Sequence, residues 1–82
     1  MKLRALNEPR PVRVQADAQG TPVRVGDGRQ IRRVEAIRET WRIDDEWWRR
    51  PISRLYHCVV LENGKSVTLY LDLVDGGWYI QG

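Results

Sequence analysis

The sequence has few of the residues that usually build chemical sites. Its 82 residues include one cysteine, one histidine and no phenylalanine. One cysteine excludes an internal disulfide framework, and one Cys with one His cannot form a structural zinc site. No apolar run approaches the roughly 20 residues of a membrane-spanning helix, and the first ten residues lack the apolar segment of a signal peptide. We therefore expect a small, soluble, cytoplasmic protein with a single domain and no membrane partner.

Motifs for catalysis and cofactor binding are also missing. His57 and Cys58 are adjacent, so on a strand they would point to opposite faces and could not act together as a catalytic pair. Asp44, Asp45 and Glu46 could ligate a hard cation, but they lack calcium-loop spacing. A helix N-cap with surface ion pairing explains these carboxylates better. The glycine-containing turns lack a phosphate-loop pattern. We therefore expect no enzyme activity, no cofactor and no metal.

Positive charge is concentrated in the first two thirds of the chain. Residues 1–54 hold 13 basic and 8 acidic side chains, whereas residues 55–82 hold one lysine and three acidic residues. Twelve of the 14 cations are arginine, whose planar guanidinium makes forked contacts to phosphate. This bias favours a nucleic acid or an acidic partner. A net charge of +3 is equally compatible with an ordinary solvated surface.

Glycine-containing turns divide the chain into short stretches of alternating polarity, which is typical of β-strands. We predict an all-β fold, an antiparallel meander of about six strands that closes into a small, partly open barrel. Residues 1–10 are expected to form a flexible N-terminal arm, and residues 11–82 a single small β domain. The predicted strands lie near residues 11–16, 22–26, 30–43, 53–62, 65–74 and 78–81.

The clearest predicted hairpin surrounds Asn63-Gly64, a dipeptide that favours a two-residue type I′ turn. This turn would place Val60 opposite Val67 and Cys58 opposite Leu69. The face with Val59 and Leu61 would then be half exposed. The core face would comprise Tyr56, Cys58, Val60, Val67, Leu69 and Leu71.

Residues 30–50 allow two interpretations. Apolar residues recur at helical spacing, which indicates an amphipathic helix. The same residues also fit two alternating runs with a slip near Ala36, as in a strand with a β-bulge. Because every neighbouring segment has the pattern of a strand, we favour a long bent strand over a helix for this segment. A short helical turn is predicted near residues 44–50, capped by an aspartate and ended by Pro51.

Tryptophan and arginine are interleaved in one segment. Three of the four tryptophans lie between Trp41 and Trp48, beside several arginines. Aromatic side chains next to cations can stack on single-stranded bases, and the same residue types are enriched in protein-binding hot spots. We expect Trp41, together with Trp47 or Trp48, to fill the core of a barrel without phenylalanine, which would leave the other tryptophan of that adjacent pair for contact. The candidate contact residues for nucleic acid or a protein partner are Arg42, Trp47, Trp48, Arg49, Arg50, Arg54 and Tyr70.

Two segments carry a family resemblance. Residues 34–56 read VEAIRETWRIDDEWWRRPISRLY, and residues 67–79 read VTLYLDLVDGGWY. They resemble a small uncharacterised bacterial domain family found alone, or beside or fused to ImuB-type, Y-family DNA polymerase-like proteins of error-prone lesion bypass. The resemblance covers roughly residues 11–81 and implies a setting in the DNA damage response, with no catalytic residues to carry over.

Two functional classes are compatible with these observations. The first is a non-enzymatic accessory binding module for DNA repair or translesion synthesis. It would contact single-stranded DNA or a DNA-bound protein such as the Y-family polymerase-like protein. The alternative is a protein–protein interaction or homo-oligomerisation module with no nucleic-acid role, acting through a hairpin face or an exposed edge strand.

Overall fold

The computed structural model describes residues 9–47 and 50–81, which form one antiparallel sheet without a helix. Short alternating segments and glycine turns produce this pattern, as the sequence predicts. The seven strands are β1 (Arg10–Pro11), β2 (Arg13–Ala16), β3 (Pro22–Asp27), β4 (Gln30–Trp47), β5 (Arg50–Leu61), β6 (Ser66–Asp72) and β7 (Trp78–Gln81).

The sheet curls because the N-terminal segment, residues 10–16, pairs with both β7 and β3. The strand order is β1-β7-β6-β5-β4-β3-β2, and β1 and β2 are consecutive pieces of the N-terminal strand, separated by Val12. β1 pairs with β7 and β2 pairs with β3. The Val12 N–H also donates a hydrogen bond to the Trp78 carbonyl over 3.0 Å. The predicted all-β meander and its partly open, barrel-like curvature are thus confirmed.

The core lies inside the curl and is small. Five buried aliphatic side chains pack together, and Val12, Val14, Val34, Val67 and Trp78 cover them. Burial of this apolar area is the main force that holds the sheet in its curved form. The five central residues are Val25, Val59, Leu61, Leu69 and Ile80.

The β5–β6 hairpin differs from the prediction by one residue. Val59 lies opposite Val67, and the Leu61 N–H bonds to the Lys65 carbonyl over 2.9 Å. Three residues, ending in Gly64 with φ of 84°, therefore form the loop in place of a two-residue type I′ turn. A slip of one residue exchanges the two faces of a strand.

The exchange of faces corrects the predicted core. Val59 and Leu61 are buried in the barrel, whereas Val60 is only half-buried on the outer face. Leu69 of β6 keeps its predicted place in the core, but its neighbour across the hairpin is His57 rather than Cys58.

β4 is the long bent strand that the sequence favoured over a helix. Its pairing with β5 is irregular between Val34 and Ala36 and again between Ile37 and Glu39, which are β-bulges at and near the predicted position. The bulges let an 18-residue strand follow the curved barrel.

The helical turn predicted near residues 44–50 is wrong for the described part of that segment. Residues 44–47 continue β4 and pair with residues 50–53, while residues 48–49 lie outside the described residues. Asp44 accepts hydrogen bonds from Arg42 and Ser53, so its carboxylate has strand partners instead of helix N–H groups. Pro51 is tolerated because β6 pairing extends only to Arg54, which leaves β5 a free side there.

The long β4–β5 hairpin extends beyond its neighbours. β3 pairs with β4 only as far as Arg33, and β6 pairs with β5 only as far as Arg54. The Leu73 N–H still bonds to the Ser53 carbonyl over 2.8 Å, and the described residues 44–47 and 50–52 beyond it project as a two-stranded arm. Of the predicted N-terminal arm, residues 1–8 lie outside the described residues, and Arg10 belongs to β1.

Candidate functional site

Four aromatic rings form a row across β4, β5, β6 and β7. The centroid distances are 5.1 Å for Trp41–Tyr56, 5.0 Å for Tyr56–Tyr70 and 5.1 Å for Tyr70–Tyr79. These distances are close to the ~4.8 Å spacing of neighbouring strands, so rings at matched register positions stack. We call this set the aromatic row. Its central rings bury each other on the outer face of the sheet, where Tyr56 is 7% and Tyr70 is 3% exposed.

Arg54 is held against the aromatic row. Its guanidinium carbon lies 4.6 Å from the centre of the Tyr70 ring, and its Nη1 donates a hydrogen bond to the Tyr56 hydroxyl over 3.2 Å. This hydrogen bond is the main reason that the pKa of Arg54 is raised. Burial raises the pKa of Tyr70. Arg54 and Tyr70, both predicted contact residues, therefore have structural partners within the fold.

The two ends of the aromatic row differ. The Tyr79 hydroxyl donates a hydrogen bond to Asp75 over 2.9 Å, and this bond raises the pKa of Tyr79. Trp41, at the other end, is 37% exposed on the outer face, so the prediction that it fills the core is wrong. No described strand lies on its far side, because β3 pairs with β4 only up to Arg33. Trp41 is thus the end of the row that has a free ring face.

The other predicted contact residues do not form one surface. Arg50 shares the outer face with Arg54. Arg42 lies on the opposite face, where its Nε is 2.7 Å from Asp44. The hydrogen bond from Arg42 lowers the pKa of Asp44. Trp47 lies opposite Arg50 in the register, and its side chain is outside the described part, as are residues 48–49.

Carboxylates balance the arginines on this outer face. Asp72 lies opposite Arg54, and Asp45 lies opposite Ile52, one row further along the arm. Glu39 also shares this face, opposite Cys58. The surface around Arg54 is therefore mixed in charge and does not attract a polyanion strongly.

A second set of arginines, which the sequence analysis did not single out, lies on the outer face of β2, β3 and β4. Arg24 is directly opposite Arg33, and Arg13 is opposite Gly26, whose other neighbour is Ile31. Ile31 is 71% exposed and the three arginines are all exposed. We call Arg13, Arg24, Arg33 and Ile31 the arginine face.

Two arginines of the arginine face lie directly opposite each other. Like charges directly opposite each other on neighbouring strands are destabilising. Arg24 donates a hydrogen bond to the neutral Gln15 over 3.0 Å. Among the side chains that the structure describes, none forms an ion pair with Arg24 or Arg33, although Glu62 borders the same shallow hollow. The alternation of valine and arginine in β2 and β3 could have indicated the arginine face from the sequence, because Val14 and Val25 face inward and the arginines face outward.

His57 is a buried titratable group inside the barrel. It is 4% exposed, its Nδ1 is 3.1 Å from the Thr40 hydroxyl, and its ring lies 5.8 Å from that of Trp78. Its Nε2 has no hydrogen-bond partner among the described residues. Burial lowers the pKa of His57.

We expect the free energy of unfolding to decrease as the pH falls below about 6.5, the ordinary pKa of histidine. The unfolded chain binds a proton there that the buried imidazole resists, so stability is complete above this pH and declines below it. Urea unfolding of wild type and His57→Leu between pH 5 and 7 tests this. The free energy of unfolding of the variant should no longer depend on pH in this range. An unchanged pH dependence would show that another group titrates.

Three further observations bear on the class of protein. Within the described ranges, no group of His, Cys, Asp and Glu side chains could hold a metal ion. The same ranges contain no helix long and apolar enough to cross a membrane. Comparisons with protein-family models, curated proteins and solved structures found no significant match. The structure therefore defines the chain as a small all-β, barrel-like domain with an arginine face and an aromatic row.

Proposed function

We propose that this protein is a non-enzymatic module that binds the phosphate backbone of single-stranded nucleic acid through its arginine face. The observation that carries the proposal is the direct opposition of Arg24 and Arg33, which have no ion-pair partner among the side chains that the structure describes. Such an arrangement costs folding free energy and becomes favourable when an anion binds between the two guanidinium groups.

The geometry of the arginine face suits a chain of phosphates. Arg13, Arg24 and Arg33 lie on three neighbouring strands, so their positive groups follow each other across the sheet. Each guanidinium can bind a phosphate with two parallel hydrogen bonds. The exposed Ile31 supplies apolar contact for a sugar or base. Because phosphate contacts carry no sequence information, recognition would be largely independent of base sequence.

This proposal moves the contact surface away from the tryptophan-rich arm. The outer face around Arg54 and Tyr70 is mixed in charge, and the ring faces of the aromatic row are mostly stacked on each other. Base stacking requires a free ring face, which the central tyrosines lack.

The resemblance to the domain family beside ImuB-type proteins supplies a setting for the proposal. A backbone-binding module of this kind would help hold single-stranded DNA during lesion bypass in the bacterial cytoplasm. A Y-family polymerase-like protein would be its protein partner.

The decisive measurement is fluorescence anisotropy with a labelled single strand, titrated at several salt concentrations. We expect the logarithm of the binding constant to fall linearly with the logarithm of salt concentration, by about 0.7 per phosphate contacted. Arg24→Glu should weaken binding roughly tenfold or more at low salt and make the slope shallower. The same variant should be slightly more stable, since it places a carboxylate opposite Arg33.

Arg50→Glu is the matched control, because it changes the net charge equally on the exposed end of the arm. It should lower affinity only slightly. Equal losses in the two variants would place binding on the arm or on overall charge. Absence of binding by the wild type at low salt would refute the proposal.

A further inference from the structure

No described strand pairs with the second edge of β4 over most of its length. β3 pairs with β4 at residues 30–33, and β5 occupies the other side from Val34 to Trp47. Among the described residues, nothing pairs with the outer edge of β4 beyond Arg33. A long unpaired edge exposes backbone N–H and C=O groups that can add another strand.

This edge segment also exposes apolar side chains. Trp41 is 37% and Ile43 is 41% exposed, and both lie on the outer face of β4. Ile37, also 37% exposed, lies on the other face beside the second bulge. Backbone groups and apolar side chains are thus unsatisfied at the same place, which is typical of a strand that pairs with a partner.

We propose that the partner is a second copy of this chain, paired antiparallel through β4 about a two-fold axis at Trp41. In this register each Trp41 faces the Trp41 of the other copy. In the regular segment that follows the second bulge, Glu39 then lies opposite Ile43 and Thr40 opposite Arg42. A two-fold axis perpendicular to the sheet keeps residues of the same face together and closes the assembly as a dimer.

The aromatic row selects this register. The Trp41 ring is nearly parallel to that of Tyr56, with an interplanar angle of 6°, and its other side is not covered by a described strand. Strands that pair edge to edge are separated by ~4.8 Å, close to the ring spacing already present in the row. Pairing at Trp41 would therefore join two rows of four rings into one row of eight.

The charges along β4 favour the same register. With the axis at Trp41, no two like charges lie opposite each other within the regular segment from Glu39 to Ile43. Moving the axis to Thr40 would bring Glu39 against Trp41 and break the aromatic row, and moving it to Arg42 would bring that residue against itself. An axis at Ile43 avoids this repulsion but places Trp41 opposite Asp45 and breaks the aromatic row.

The dimer does not depend on nucleic-acid binding. Because the axis is perpendicular to the sheet at Trp41, the outer faces of both copies would lie on the same side there. The dimer would therefore duplicate the arginine face, and two linked sites bind a polyanion more tightly than one.

The test is sedimentation equilibrium of the full-length protein across a wide concentration range, with two variants at one position. Ile43→Glu would bring a carboxylate against Glu39 of the other copy, and Ile43→Lys would bring a cation there. Both remove the same exposed side chain. We expect a reversible wild-type dimer and a dissociation constant roughly tenfold or more higher for Ile43→Glu than for Ile43→Lys, since each contact occurs twice.

The two substitutions should affect the stability of a single copy in the opposite order to their effect on dimer formation. Ile43 lies opposite Arg54 on β5, so glutamate should stabilise the monomer and lysine should weaken it. Thermal unfolding at a concentration where both variants are monomeric measures this effect separately. A wild type that stays monomeric, an assembly that grows beyond two copies, or equal dissociation constants for the two variants would overturn the proposed dimer.

Discussion

Replacing Val59 by aspartate is expected to leave the protein unfolded at room temperature, whereas the same change at Val60 should leave it folded. Val59 is completely buried in the core cluster and lies between Ile37 and Val67. A carboxylate at this position would have no partner, and burying it costs several kcal/mol. That cost is comparable with the total stability of about 5–15 kcal/mol of a small domain.

Val60→Asp is the matched control for this experiment. Val60 lies on the outer face, half-buried and opposite Ser66 and Ala36, so an aspartate there can reach water. Circular dichroism and the dispersion of amide resonances would report folding of both variants. The reverse order, with Val60→Asp unfolded and Val59→Asp folded, would establish the two-residue turn and the opposite register.

Tyr70→Ala is expected to have the second largest effect on stability, with a loss of about 3–5 kcal/mol. Its ring contacts those of Tyr56 and Tyr79 at centroid distances of 5.0 and 5.1 Å and carries Arg54 above it at 4.6 Å. Removing this ring therefore interrupts the aromatic row at its centre and leaves Arg54 without its cation–π partner.

Urea unfolding would measure this loss against two controls. Tyr70→Phe keeps the stacked ring and should lose little, because the ring and not the hydroxyl makes these contacts. Tyr79→Ala removes an end of the aromatic row and should cost less than Tyr70→Ala. If Tyr79→Ala costs as much, the row does not act as a continuous stack. A cycle of Tyr70→Ala with Arg54→Ala isolates the cation–π contribution.

Local patterns in the sequence predicted the strands well. Alternation in β2 and β3, the glycine turn before β7 and the slip near Ala36 all correspond to features of the structure. The prediction failed where two local rules compete. The carboxylates at residues 44–46 suit a helix N-cap, but Asp44 instead binds Arg42 and Ser53, which pairing with β5 brings within reach.

The candidate surfaces were less predictable than the fold. The interleaving of tryptophan and arginine indicated one contact surface, but pairing places Arg42 on one face and Arg54 on the other. Arg24 and Arg33 are separated along the chain and meet because β3 and β4 pair with each other. Neither composition nor spacing shows that two such residues are neighbours.

The sequence by itself determined that this chain is a meander of short antiparallel strands, because alternation and turn residues act locally. The tertiary structure decided which residues share a face and which arginines and aromatic rings meet. One residue more in the loop at Gly64 exchanges the two faces of β5, and the choice between the alternatives is made by burial of Val59 and Leu61 with β3, β6 and β7. That packing involves distant parts of the chain and therefore has no local signature.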